Sequence, residues 1–130
     1  MSQATAIPIC SSAALLESGD GVRFPVAMRG GETVGFVVRF HGVPRAYLNR
    51  CAHVGIELDW QHGKFFDGSR LYLMCATHGA IYAPESGRCA GGPCRGQSLR
   101  VIAVEERDDT IFWLPDQQVF APTPTTPPSS

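Results

Sequence analysis

Two short pieces of this sequence carry residues able to bind a metal, Cys51-Ala52-His53 and Cys75-Ala76-Thr77-His78-Gly79. Each offers one thiolate and one imidazole, and 21 residues separate His53 from Cys75. Four soft or borderline donors from two loops suit a zinc ion or an iron–sulfur centre. Gly55 and Gly79 follow the two pairs, where a missing Cβ lets backbone approach a bulky inorganic core. A single buried Cys or His is more often packing than ligand. Two Cys/His pairs at ligand spacing, in a chain with five cysteines, are hard to obtain by chance. Zinc is the weaker reading. Structural zinc knuckles favour C-x-x-C or H-x-x-x-H pairs and serve small domains without a core, whereas this chain has strand-forming segments enough for its own scaffold.

At these residues the sequence resembles the Rieske family, whose ligand motif is C-x-H…C-x-x-H-G. The resemblance extends over residues 5 to 116, because Gly87-Arg88 and Gly91-Gly92-Pro93 are similar to the family's glycine–proline segment. Leu99 to Glu105 and Ile111 to Leu114 are similar to the strands that close its base. The resemblance implies one [2Fe-2S] cluster per chain, with Cys51 and Cys75 on one iron and His53 and His78 on the outward-facing other. It also implies that Gly92 and Pro93 belong to a third loop over the cluster, and that Tyr82 hydrogen-bonds a cluster ligand. Two ferric ions, two sulfides and two thiolates sum to about zero charge, against about −2 with four thiolates. An added electron therefore meets less repulsion, and the potential lies above that of all-cysteine clusters.

Departures from the family place the chain within it. Respiratory members join their ligand loops by a disulfide, but Ile56 and Thr77 stand at the matching positions here. Ala80 replaces a serine that donates to a bridging sulfide, while Tyr82 keeps the second donor. Losing one donor lowers the potential. The resemblance is thus to the soluble ferredoxin branch, and it implies an electron carrier between a reductase and a terminal oxygenase rather than an enzyme. No G-x-G-x-x-G fingerprint for a dinucleotide occurs in the chain. Two rival readings are a redox or iron–sulfur sensor using Cys89 and Cys94 as extra thiols, and a structural zinc module.

The elements that must position these loops are read from the remaining sequence. Glycine and proline supply 14 and 10 of 130 residues, a density that favours short strands and turns over long helices. The expected fold is all-β, with antiparallel sheets of about eight to ten short strands forming a base under a small cluster-binding part near residues 50–83. Val22 to Val26 alternates, and its Pro25 points to an edge strand. Val34 to Phe40 turns through His41-Gly42-Val43-Pro44 into Arg45 to Asn49. Lys64-Phe65-Phe66 and Arg70 to Met74 flank an Asp67-Gly68-Ser69 turn, and Glu105 to Asp109 reads as a solvated hairpin turn into Thr110 to Leu114. The 21-residue ligand spacing is a few residues longer than is common in ferredoxins, an excess assigned to the Trp60–Arg70 hairpin. One helix is expected at Ser12 to Glu17, stopped by Gly19.

Residues 7–118 read as one domain, with a flexible 1–6 before it. Residues 119–130 read as a disordered Pro/Thr/Ser tail, since Ala121 to Ser130 holds four prolines and no large apolar side chain. A formal charge of −1 argues against nucleic acid as a partner. The longest apolar run, Leu71 to Ala76, is too short to cross a bilayer, and Met1 to Cys10 lacks the basic flank of an export signal. A cytoplasmic monomer is the expectation. In that compartment Cys89 and Cys94 are favoured as two thiols beneath the third loop over a disulfide. Cys10, Trp60 and Trp113 read as packing, and His41 and His62 as surface turn residues.

Overall fold

The computed structural model describes residues 6–50, 57–59, 63–75 and 79–122. Its strands are β1 (Ile7–Ser11), β2 (Val22–Met28), β3 (Gly31–Phe40), β4 (Val43–Leu48), β5 (Leu73–Met74), β6 (Ile81–Tyr82), β7 (Cys89–Gly91), β8 (Val101–Ile102), β9 (Val104–Arg107) and β10 (Thr110–Trp113). They form three antiparallel sheets in the orders β1-β10-β9, β2-β3-β4-β8 and β5-β6-β7. The all-β expectation holds, and Pro25 lies on β2 at the edge of the four-stranded sheet, where a missing N–H breaks no inner ladder.

Local chemistry fixes the hairpins. Phe40 pairs with Val43, so the β3–β4 turn is the two residues His41-Gly42, both at positive φ. That is the turn whose twist matches paired strands. The expected four-residue turn is corrected accordingly: Val43 and Pro44 already belong to β4. Asp108-Asp109 makes an equivalent turn between β9 and β10, with Arg107 opposite Thr110, so the expected Glu105–Asp109 turn is corrected: Glu105 to Arg107 belong to β9. The hairpin around Asp67-Gly68-Ser69 is present as a bridge between Phe66 and Leu73, with Asp67 Oδ1 accepting from the Ser69 N–H and hydroxyl.

Other expectations change. The helix at Ser12 to Glu17 shrinks to a 3-10 turn over Ser12–Ala14. Six residues are too few to offset the cost of a helical nucleus, and Glu17 has a better partner. Its carboxylate accepts the His41 and Gly42 N–H groups at 2.6 and 2.8 Å, holding the β3–β4 turn. Leu99 to Glu105 is not one alternating strand. It changes sheet at Ala103, so that β8 pairs with β4 while β9 pairs with β10. The folded chain also runs past residue 118: Val119 is buried, and Phe120 exchanges backbone bonds of 2.7 and 2.9 Å with Ala27. Cys89 and Cys94 are joined as a disulfide rather than left as thiols. After β7 the chain folds back, with Cys89 N–H donating to Gln97 O at 2.9 Å, and the two Cα atoms lie 5.6 Å apart, a span a disulfide bridges.

Two apolar clusters lie on opposite faces of the four-stranded sheet. Val37 and Ala46 join Phe24, Val26, Ile111 and Trp113 in the base. Phe36 and Tyr47, next along the same strands, join Leu58, Phe65, Cys75, Tyr82 and Cys94 in the upper cluster. The period-2 alternation of β3 and β4 thus supplies one face of the sheet to each cluster. Trp113 is a packing anchor, buried with its ring centroid 5.5 Å from that of Phe24.

Candidate metal centre

Cys75 follows β5 and is fully buried in the upper cluster, outside the disulfide. Its N–H donates to Ala80 O at 2.8 Å, and its carbonyl accepts from Gly79 N–H at 2.8 Å. Those two bonds form a neck that ties Cys75 to Gly79 and Ala80. The other proposed ligands, Cys51, His53 and His78, lie outside the described residues, as do Ile56, Thr77, Trp60 and His62.

The third loop meets this neck. Gly92 sits at φ +85°, and a Cβ built there would lie 2.9 Å from Gly79 O and 3.0 Å from Ala80 Cα. Only glycine combines that backbone with that contact. Pro93 follows as an exposed residue. Tyr82 is fully buried on β6, opposite Leu73 on one side and Cys89 on the other. The structure therefore brings together Cys75, Gly79, Ala80, Tyr82 and Gly92 of the residues singled out from the sequence. Ala80 is buried and offers no side-chain donor, as its type requires.

The first ligand loop is anchored by a polar clasp that the sequence does not reveal. Asn49, at the end of β4, and Asp59 are both buried. Asn49 Nδ2 donates to Asp59 Oδ1 at 2.8 Å, and Asn49 Oδ1 accepts from Leu58 N–H at 2.9 Å. Asp59 Oδ2 accepts from Gly63 N–H at 2.9 Å and faces Arg23 Nη1 at 3.8 Å. Arg23 in turn pairs with Glu57 at 2.7 Å. The chain leaves for the first ligand pair after Asn49 and comes back at Leu58, so one side chain ties departure to return. Asn and Asp in an unpatterned stretch look like ordinary loop residues; only burial distinguishes them.

Beneath these loops, burial pushes the Tyr47 hydroxyl up to about 12. It stays protonated and donates to Pro84 O at 2.6 Å, holding the turn between β6 and β7. Among the described residues no group of three or more His, Cys, Asp or Glu side chains could hold a metal by itself. No helix among them is long and apolar enough to cross a membrane.

Comparison with known proteins agrees with this geometry. The family model for the Rieske [2Fe-2S] domain matches residues 5–121. No curated protein matches the sequence. Among solved structures, the ferredoxin of carbazole 1,9a-dioxygenase from Nocardioides aromaticivorans IC177 is similar with a TM-score of 0.65 at 22% identity, covering 92% of this chain and 99% of that one. The terminal oxygenase of carbazole 1,9a-dioxygenase from Novosphingobium sp. KA1 is similar with a TM-score of 0.64 at 24% identity, covering 94% of this chain and 32% of that one. A fluorene-bound oxygenase–ferredoxin complex of carbazole 1,9a-dioxygenase gives 0.66 at 20% identity, covering 88% and 31%. The chain thus spans about a third of the length of the oxygenase chain and of the chain matched in that complex.

Proposed function

The chain belongs to the Rieske [2Fe-2S] domain family and carries one [2Fe-2S] cluster, and from that premise we propose that it is a ferredoxin passing single electrons from a reductase to a terminal oxygenase. The observation that carries the reading is the ferredoxin-sized similarity: the fold covers 92% of this chain and 99% of a dioxygenase ferredoxin. The neighbouring structures include a complex of reduced oxygenase with oxidised ferredoxin, which supports an oxygenase as acceptor. The same reading has the carrier working as a cytoplasmic monomer.

The described residues fit the group. A buried thiol at Cys75 stands on a two-bond neck, and Gly92 presses backbone against that neck where any side chain would intrude. In this reading Cys51 and Cys75 hold one iron and His53 and His78 the other, with Tyr82 donating a hydrogen bond to a ligand and Gly92 and Pro93 covering the loops. When bound, the cluster supplies reversible one-electron chemistry. The protein's part is to fix the loops, through the Asn49–Asp59 clasp and the Cys75–Ala80 neck, and to exclude water from the thiolate side. His53 and His78 would in this reading hold the iron facing a docked electron partner.

Purified protein should be red-brown, with about two irons per chain and a reduced-state EPR signal of low average g. The visible spectrum should bleach on dithionite and recover in air. A colourless protein holding one zinc ion and no sulfide would overturn the assignment. Stopped-flow transfer from the reduced protein to a Rieske oxygenase then tests the direction: no transfer to any oxygenase, with partner binding altered by the redox state, would favour a sensor.

A further inference from the structure

The disulfide is a chemically reactive feature that electron carriage by the cluster does not use. It joins Cys89, half-buried on β7, to Cys94, fully buried in the upper cluster. Between them lie Gly91, Gly92 and Pro93, and Gly92 is the residue wedged against Gly79 and Ala80 at the neck of the second ligand loop. Cys89 is directly opposite Tyr82, and Gly91 is opposite Ile81. The bridge therefore braces the stretch of chain that presses on the metal-binding loop. It closes a short ring, which constrains the unfolded chain less than a long one, so its influence is local rather than global.

Both sulfurs are also provided for when the bridge is open. Gly91 O lies 3.3 Å from Cys94 Sγ and 3.5 Å from Cys89 Sγ, and Ile81 O lies 3.5 Å from Cys94 Sγ. In the disulfide these are plain contacts, because neither sulfur carries a proton. In the dithiol each S–H finds a carbonyl acceptor already in place. A surface groove of about 400 Å³ runs along Cys89, Gly91 and Gly92 and is also lined by Arg95. Glycine walls admit an incoming sulfur, and the guanidinium favours its approach as the anion that attacks disulfides.

We propose that Cys89–Cys94 is a thiol–disulfide exchange site, opened by a dithiol reductant, whose state sets how firmly the third loop holds the second ligand loop. One thiolate of the reductant attacks the accessible Cys89 Sγ. The Cys89–Cys94 bond breaks, and its electron pair leaves on Cys94 Sγ, which takes up a proton. The reductant's second thiolate then attacks its own sulfur in the mixed disulfide. Cys89 departs as a thiolate and is protonated, and the reductant leaves as a disulfide. Two electrons and two protons have passed to the protein. The exchange site itself is independent of the cluster; its effect on metal retention rests on the ferredoxin reading.

The test uses the full chain as purified, with dithiothreitol as the probe. Alkylation under native conditions, read by mass spectrometry, should leave Cys89 unlabelled before reduction and label it after, while Cys94, fully buried, becomes reactive only once the protein is denatured. Iron release to a chelator should then run about fivefold or more faster in the reduced protein, the factor expected for about one kcal/mol of lost local order. The variant with Cys89→Ser and Cys94→Ser should release iron at that faster rate and no longer respond to dithiothreitol. Failure of dithiothreitol to open the bridge without denaturant overturns the proposal, and so does iron release that ignores the bridge. Should the protein hold no cluster, alkylation still reads the exchange site, and only the ferredoxin reading falls.

Discussion

The Asn49 side chain serves two partners at once, and that makes its removal a sharp test of the clasp. Its amide spans Asp59 Oδ1 and Leu58 N–H, both in buried surroundings. Asn49→Ala leaves a buried N–H and half of a buried carboxylate without their partner, and each orphaned group costs about 1–3 kcal/mol. The expected outcome is a loss of about 2–4 kcal/mol in chemical denaturation, together with a lower iron content at full expression. Asn49→Asp separates packing from chemistry: it keeps the shape but sets a second carboxylate against Asp59 and loses the Nδ2–H donor. If Asn49→Asp loads as much iron as the native protein, the clasp does not position the first ligand loop. The same clasp marks the limit of reading this site from sequence. Four Cys and His residues at ligand spacing announce themselves by type, because few other patterns put sulfur and imidazole together. An asparagine and an aspartate announce nothing until burial shows that water cannot serve them.

Elements were legible where they obey a period or a turn rule and illegible where a tertiary partner intervened. Pro25 on an edge strand, the acidic β9–β10 turn and the Asp67-Gly68-Ser69 hairpin all follow from local chemistry. The helix at Ser12 to Glu17 failed because Glu17 is taken by a turn 24 residues away in the chain. The disulfide could not be read from spacing, since two cysteines five residues apart pair only if the turn between them folds back. The same kind of long-range partner gives the base sheet its pH response. Arg39, on β3, grips Glu106, on β9, at 2.8 and 3.1 Å and also donates to Leu15 O and Ser12 O. The guanidinium holds the Glu106 carboxyl down to about 2. A lowered folded-state value means stability that is present in full above the ordinary carboxylate range and is lost as pH falls from about 4.5 towards about 2. Both side chains are partly exposed, and solvent screening reduces the contribution to about 1 kcal/mol. Unfolding followed by urea at pH 6 and pH 3 should show the native protein losing more stability than Glu106→Gln across that interval. Equal losses would mean that the pair contributes nothing to the link between the sheets.

At the scale of the whole molecule, the four-stranded sheet stands between two apolar clusters, and the upper one contains Cys75 together with Leu58 and Ala80. The base is self-sufficient: Phe24, Val26, Ile111 and Trp113 are buried there, and the β1-β10-β9 sheet closes over them without any metal-binding residue. The upper cluster is built differently. It is covered by the two-residue strands β5 and β6, the three-residue β7 and Leu58, whose N–H is held by the Asn49 side chain. Stability in proteins is distributed in units that open separately, so removal of the metal should loosen one unit and spare the other. Hydrogen exchange on protein stripped of iron by a chelator should show the Leu58, Cys75 and Gly79 amides losing protection by about ten-fold or more, as expected for loss of a linked ligand of modest affinity. The amides of β1, β9 and β10 should exchange at the holo rate, because their partners, Ile7 against Trp113 and Thr110 against Arg107, lie wholly within the base. Loss of protection in β10 as strong as that at Cys75 would mean that the two clusters fold as one, with the alternating residues Phe36, Val37 and Val38 of β3 transmitting the metal's stabilisation through the sheet.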